Sequence, residues 1–369
     1  MKSTALFTIL LSAAFAADRS ANPLVVHEWG TFTSVAGADG NPVEWAPLTG
    51  PPDLPCFVYT SNRQLPKGSI LGRVRMETPV LYFYAPEPTT LSVSVDFPQG
   101  KITEWYPQAS KKLPANGLSQ HMEWNDVEVL PGAQLIFPQG SGTSHYYAAR
   151  ATDAAPLRIG DQQEKMIFYR GVGYFQVPVR PRITEEGKLE IRNAGPETVP
   201  LVIAFESQAG KVGYRIARGL KDTVMLEMPE LTGDLGVLQQ KLAMEMVEFG
   251  LYQKEAAAMI ETWRDSWFED GMRVFYIVPS EQVDALLPLK ITPAPASVGR
   301  VFVGRVEVLS GRTRRTIENA LRADDTAALV KMGRFLRPFA QQINRNLDLA
   351  RAEQEILSPF RWDSASCVQ

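Results

Sequence analysis

Leu91-Ser92-Val93-Ser94-Val95-Asp96-Phe97 alternates apolar and polar side chains without a break. Side chains of an extended strand point alternately to its two faces, so this stretch reads as a strand with one face buried. Similar stretches surround it. Val25 to Val35 is the first, then Pro79 to Tyr84, Ile102 to Tyr106, Val127 to Leu130, Gln134 to Phe137 and Tyr146 to Arg150. Met166 to Arg170, Tyr174 to Val179, Lys188 to Arg192, Leu201 to Phe205 and Val212 to Ile216 continue the series. Asp39-Gly40-Asn41 supplies a hairpin-type turn, the glycine allowing positive φ. Many short strands with no ordinary helix between them predict an antiparallel β-sandwich over residues 17–228.

The pattern changes after Pro229. Leu235, Leu238, Leu242 and Met246 recur at helical spacing behind Asp234, a suitable N-cap, and Gly250 ends the run. A second helix is predicted from Tyr252 to Asp270, stopped by Gly271. Arg273 to Val278 reads as a buried strand, Ser280 to Leu287 as a short helix and Val301 to Leu309 as another strand. Residues 229–310 thus form a small α/β lobe, and 311–369 a helical tail with a disordered C-terminus. The fold class is α+β.

The chain of 369 residues is 45% hydrophobic and 21% charged, enough apolar material for a real core. A formal charge of −3 argues for neither nucleic acid nor anionic lipid as partner. Lys2, the apolar run Ala5 to Ala14 and the small-residue site Ala14-Phe15-Ala16 read as a secretory signal over residues 1–16. That run is too short to span a bilayer, so no transmembrane anchor is expected after cleavage, and the mature protein is expected in the periplasm or outside the cell. An oxidising compartment permits a disulfide between Cys56 and Cys367. The alternative, a buried thiol at Cys56 beside Phe57 with Cys367 loose in the tail, is preferred, because Ser364 to Gln369 carries little to hold it.

Two stretches carry the candidate chemistry. In Val26-His27-Glu28-Trp29-Gly30-Thr31, strand alternation puts His27 and Trp29 on one face and Glu28 on the other. His27 with His145, and His121 if it converges, would make a zinc- or copper-type site. In Glu261-Thr262-Trp263-Arg264-Asp265-Ser266-Trp267-Phe268-Glu269-Asp270, Glu261 and Asp265 share a helix face, and Trp263 and Trp267 a neighbouring one. Glu269 and Asp270 oppose the dipole at that helix end, the kind of broken rule that marks partnered positions. Glu-Trp recurs at 28–29, 44–45, 104–105 and 123–124, which suits sugar stacking but equally suits strands with one apolar face. Glu77, ahead of an apolar strand, is a candidate for a raised pKa. No Walker loop, nucleophile elbow, calcium loop or Cys-x-x-Cys is present.

The phrases Val26 to Thr33, Arg75 to Tyr84, His145 to Arg150 and Glu261 to Phe268 resemble a group of uncharacterised secreted bacterial proteins that open with His-Glu-Trp-Gly-Thr-Phe-Thr. The resemblance spans most of the mature chain; it implies no activity and transfers no catalytic residue. From the residues, the expectation is a hydrolase-like enzyme on a glycan or envelope polymer. Glu261 and Asp265 with Glu28 or Glu77 would be its acid and base, Trp29, Tyr147, Arg150 and Arg264 would hold substrate, and His27 and His145 would bind a divalent metal. The rivals are a non-catalytic envelope binding or scaffold protein, with an extracellular polymer or envelope protein as partner, and a metal-binding protein. The enzymatic reading requires the two stretches to meet.

Overall fold

Val25 to Val35 forms the strand β1, buried along almost its whole length. The computed structural model describes residues 23–49, 53–61, 70–110, 118–140, 144–344 and 349–357. The signal segment and Cys367 lie outside the described residues, as does most of the C-terminal stretch. Further strands follow as β2 (Tyr59–Thr60), β3 (Val74–Tyr84), β4 (Thr89–Asp96), β5 (Gly100–Tyr106), β6 (His121–Val129), β7 (Leu157–Ile159), β8 (Gln162–Glu164) and β9 (Ile167–Gly173). Then come β10 (Val179–Ile183), β11 (Leu189–Asn193), β12 (Val199–Gln208), β13 (Lys211–Leu220) and β14 (Thr223–Leu226). The second half adds α1 (Leu235–Glu248), α2 (Gln253–Trp267), β15 (Gly271–Ile277), α3 (Ser280–Leu286), β16 (Leu289–Thr292) and β17 (Ser297–Val308). The helices α4 (Gly311–Arg322), α5 (Thr326–Val330), α6 (Leu336–Ile343) and α7 (Ala350–Leu357) close the described chain.

The architecture is α+β, with sandwich-like sheets. A nine-stranded sheet runs β13-β12-β15-β17-β1-β3-β9-β5-β2. Period-two alternation sorts its side chains between two cores. Val26, Leu81, Phe83, Tyr169, Ala204, Val274 and Phe302 pack toward a five-stranded sheet (β16-β4-β6-β7-β8) and a three-stranded one (β10-β11-β14). Trp29, Tyr82, Phe168, Phe205, Phe275 and Val303 pack on the other face against α1 and α2. Leu91, Val93 and Val95, the apolar half of the alternating stretch, all face the first core.

The expected boundary near residue 229 does not divide the sheet: β15 and β17 lie between β12 and β1, and β1 pairs with β17 in parallel over its full length. Parallel neighbours must come from distant segments, so the 229–310 stretch completes the sheet that the earlier strands begin. The last helices gather around Val35 and Trp45, with Ile317, Phe335 and Phe339 as their core.

Four local expectations change, one being that residues 174–178, expected as strand, connect β9 to β10. Residues 145–150 form a 3-10 helix rather than a strand, started by the Ser144 side chain accepting from the Tyr146 N–H. Gln134 to Phe137 pairs with no strand. Cys56 is disulfide-bonded, not a thiol.

Candidate functional site

The two marker stretches meet. α2 lies across the face of β1 that carries residues 27, 29, 31 and 33. At its start, His27 Nδ1 donates to Glu255 Oε2 at 2.7 Å. The same carboxylate accepts from the Tyr84 hydroxyl and the Tyr252 backbone N–H, each at 2.7 Å. Burial, reinforced by Glu255, pushes the Tyr84 hydroxyl far above its usual range, so it stays a donor. Gly299 leaves room for the imidazole: a Cβ there would lie 3.0 Å from His27 Cδ2. A groove of about 310 Å³ opens beyond Tyr84 between Pro23, Pro86, Pro131 and Pro156, and neither His27 nor Glu255 lines it.

In the middle, Trp29, Trp263 and Trp267 are buried, the latter two stacked with ring centres 6.4 Å apart. Among the described residues the Trp263 and Trp267 indole N–H groups have no hydrogen-bond partner, nor does the Thr31 hydroxyl, while the Trp29 indole faces the Tyr82 hydroxyl.

At the far end a belt of charge crosses the same face. Register sets Thr33 between Arg305 on β17 and Arg75 on β3, and Thr31 opposite Glu77. The β1–β3 pairing shifts register between Trp29 and Thr31, where β3 inserts Thr78 at φ 48 and Pro79. This bulge holds Glu77 on the helix-facing side. Glu77 accepts from Thr33 and from Arg334. Arg273 and Arg305 both donate to Glu307 Oε1, at 2.9 and 2.6 Å. Arg170, opposite Glu104 on β5, donates to Asp53 at 2.9 Å. Arg75, 5% exposed, reaches Glu77 and Glu104 only at 3.7 and 3.6 Å, and its Nε and Nη1 have no hydrogen-bond partner.

The belt also answers the broken helix rule. Arg273 Nη1 donates to the Trp267 and Glu269 carbonyls at 2.7 Å, capping the end of α2 with positive charge. Glu269 pairs with Arg305, and Asp270 accepts from the Ser207 hydroxyl and the Ala209 N–H.

Glu28 lies on the opposite face of β1, fully buried, held by the Tyr169 hydroxyl and by Arg300 Nε at 2.7 Å. It therefore cannot work with Glu77 across one substrate. Glu77 is buried, but its pKa moves down, not up. Burial alone would raise it, yet Arg334, Arg75 and Arg305 outweigh burial and hold it at about 2. Such a carboxylate has no proton to give at neutral pH.

Glu261 and Asp265 face solvent, tied to Arg264 at 2.6 and 3.3 Å. Asp265 also meets His145 Nε2 at 2.7 Å. Arg150 is locked into the buried Glu164 and donates to the Pro138 carbonyl at 2.9 Å. The Tyr147 ring lies 4.9 Å from the Arg150 guanidinium, and the Tyr147 hydroxyl accepts from the Gly140 N–H. Arg150 and Tyr147 thus support each other rather than presenting a free surface.

The histidines do not converge. His27 and His145 meet carboxylates ten residues apart on α2, about 15 Å along the axis. His121 meets Asp96 elsewhere. Among the described residues no three His, Cys, Asp or Glu side chains gather as metal ligands. The tryptophans of the four Glu-Trp pairs are all buried, so they are core rather than sugar platforms.

Arg75, Arg170, Arg273, Arg305, Glu255 and Glu307 escaped the sequence reading. A signal existed. Arg75-Met76-Glu77 and Arg305-Val306-Glu307 put opposite charges two apart inside apolar strands, hence on one face. Chemically the face offers buried donors that have no hydrogen-bond partner among the described residues. No protein-family model and no curated protein sequence matches the chain.

Proposed function

We propose that this is a non-catalytic binding protein of the cell envelope, acting outside the cytoplasm on an extracellular polymer or envelope protein. Its ligand seat is the charged end of the helix-facing side of β1 and β3, where Arg75 and Arg170 lie behind the exposed Asp53 side chain. One observation carries the reading. Buried donors there, the Trp263 and Trp267 N–H groups and two positions of Arg75, have no hydrogen-bond partner among the described residues, and a buried donor left unmade costs free energy that a ligand oxygen would recover. The disulfide at Cys56 and the N-terminal apolar segment support the address.

The hydrolase reading keeps one favourable observation, the exposed Glu261, Asp265 and His145 grouped on and beside α2. A single experiment separates the two. The purified mature protein is sedimented with insoluble peptidoglycan and with acidic and neutral cell-wall polysaccharides, and the supernatant is assayed for new reducing ends. A binding protein is retained by one of these polymers and releases none. Release of reducing ends that disappears in a folded Glu261→Gln variant overturns the proposal.

A further inference from the structure

The charge belt beneath α2 is neutral as it stands. Arg75, Arg170, Arg273, Arg305 and Arg334 are matched by Asp53, Glu77, Glu104, Glu269 and Glu307. An added anion must therefore replace one of the resident carboxylates. They are not equally replaceable. Glu77 and Glu307 are buried beneath the sheet face, and Glu104 is mostly covered. Glu269, just past the end of α2 and 39% exposed, is anchored to the fully buried Arg305. Asp53 has a side chain 60% exposed, lies in the loop before β2, hydrogen-bonds to Arg170 and also feels the charge of Arg75.

Beneath Asp53 the donors are underused. Arg170 is 4% exposed, and among the described residues its hydrogen bonds other than to Asp53 are to the Thr78 hydroxyl, at 3.4 Å from both Nε and Nη2. Among the described residues Arg75 Nε and Nη1 are buried without a hydrogen-bond partner, the nearest carboxylate oxygen to Nε being Glu77 Oε1 at 3.7 Å. The Trp263 ring lies 5.9 Å from the Arg170 guanidinium, and its N–H has no hydrogen-bond partner among the described residues. Two planar guanidiniums beside an indole donor make a fork suited to a carboxylate or phosphate, whose oxygens accept several N–H groups at once.

We infer that the Arg75–Arg170 corner is a seat for an oxyanion group of the ligand, carboxylate or phosphate, and that the Asp53 carboxylate stands in that seat until the ligand displaces it. The inference rests on the binding reading above and names the ligand's chemistry. Arg170 at the centre of the seat holds Asp53 by charge, and Ser144 holds the Asp53 carbonyl at 2.7 Å, so the loop has a fixed hinge behind a replaceable side chain.

The test uses the full mature chain titrated with sodium galacturonate, inorganic phosphate and neutral galactose. Tryptophan emission reports through Trp263, and calorimetry gives the affinity. Galacturonate or phosphate binds saturably while galactose does not, and the two anions between them decide which oxyacid fits. Asp53→Asn, which keeps the loop's shape and removes the competing charge, tightens the anion by about tenfold. Arg170→Lys, which keeps the charge and loses the fork, weakens it by about tenfold. Should Arg170→Lys fail to fold, Arg75→Lys replaces it with the same expectation.

Asp53→Asn binding no tighter than the wild type overturns the inference. So does equal binding of galactose and galacturonate, which leaves the binding reading intact. Failure of every polymer and every small probe to bind takes both down.

Discussion

His27 Nδ1 lies 2.7 Å from Glu255 Oε2, across 228 residues of sequence, and joins the first strand to the first turn of α2. Glu255 is fully buried and accepts from three groups at once, so replacing it strands three donors. Glu255→Ala should cost about 3 kcal/mol in urea unfolding, the range for breaking a buried charged network. His27→Phe and Glu255→Gln should show a coupling of at least about 1 kcal/mol in a double-mutant cycle. Simple additivity between them would mean that the contact does not form in solution.

Glu77 makes a pH prediction. Its folded pKa is depressed to about 2 from an ordinary 4.5, because Arg334, Arg75 and Arg305 overcome the effect of burial. A depressed carboxylate stabilises the fold at pH values above its unfolded pKa, and the contribution fades as pH falls from about 4.5 through about 2. Its full size is about 3 kcal/mol at neutral pH. Glu77→Gln should therefore lower stability at pH 7 by a comparable amount, while wild type and variant converge near pH 2. Parallel stability curves across that window would refute the ion-pair account.

Much of the frame was legible because it is local. The β1 limits follow from the run Val25 to Val35, and α1 begins where Asp234 accepts from the Val237 N–H. Alternation also placed His27 and Trp29 opposite Glu28. What the sequence hid was non-local. Nothing in Val301 to Leu309 says that it will lie in parallel beside residue 30, and that pairing decides which charges meet. Glu261 and Asp265 drew notice for sharing a helix face, but that face is the wet one; the stripe of α2 that meets the sheet carries Glu255, Met259, Trp263 and Trp267. Residues 145–150 read as strand because tyrosines favour strands, and the Ser144 cap overrode that propensity.

Gly30 is the motif position with the clearest steric reason. A Cβ there would lie 2.6 Å from Phe302 Cε1, and Phe302 is itself buried and stacked on Phe32 at 5.0 Å. The ring has nowhere to turn, so Gly30→Ala overpacks the first core and should cost about 1–3 kcal/mol. A melting temperature unchanged by the substitution would show that the ring moves freely.

Glu261→Gln and Asp265→Asn test the surface group on α2. Their partners Arg264 and His145 are about half exposed, and exposed pairs contribute at most about 1 kcal/mol. Both variants should unfold within about 0.5 kcal/mol of the wild type and keep its polymer binding. Loss of binding in either would move the ligand seat from the inner face of α2 to its outer one.

Glu307 bridges Arg273 and Arg305 with all three side chains almost wholly buried. Burial would raise its pKa, but the two guanidiniums outweigh this and hold it below the ordinary carboxylate range. Removing the carboxylate leaves two buried cations facing each other. Glu307→Leu should therefore cost about 3–5 kcal/mol, and Arg273 should release the carbonyls at the end of α2. Combining Glu307→Leu with Arg273→Met and Arg305→Met removes the uncompensated charge and should recover most of that loss, because a desolvated ion triad gains little over good apolar packing. Hydrogen exchange at residues 263–268 distinguishes the two variants: the single one frays the last turn of α2, and the triple one frays it less only if charge repulsion, rather than the lost cap, drives the opening. A single variant as stable as the wild type would mean that water already reaches Glu307 and screens the triad.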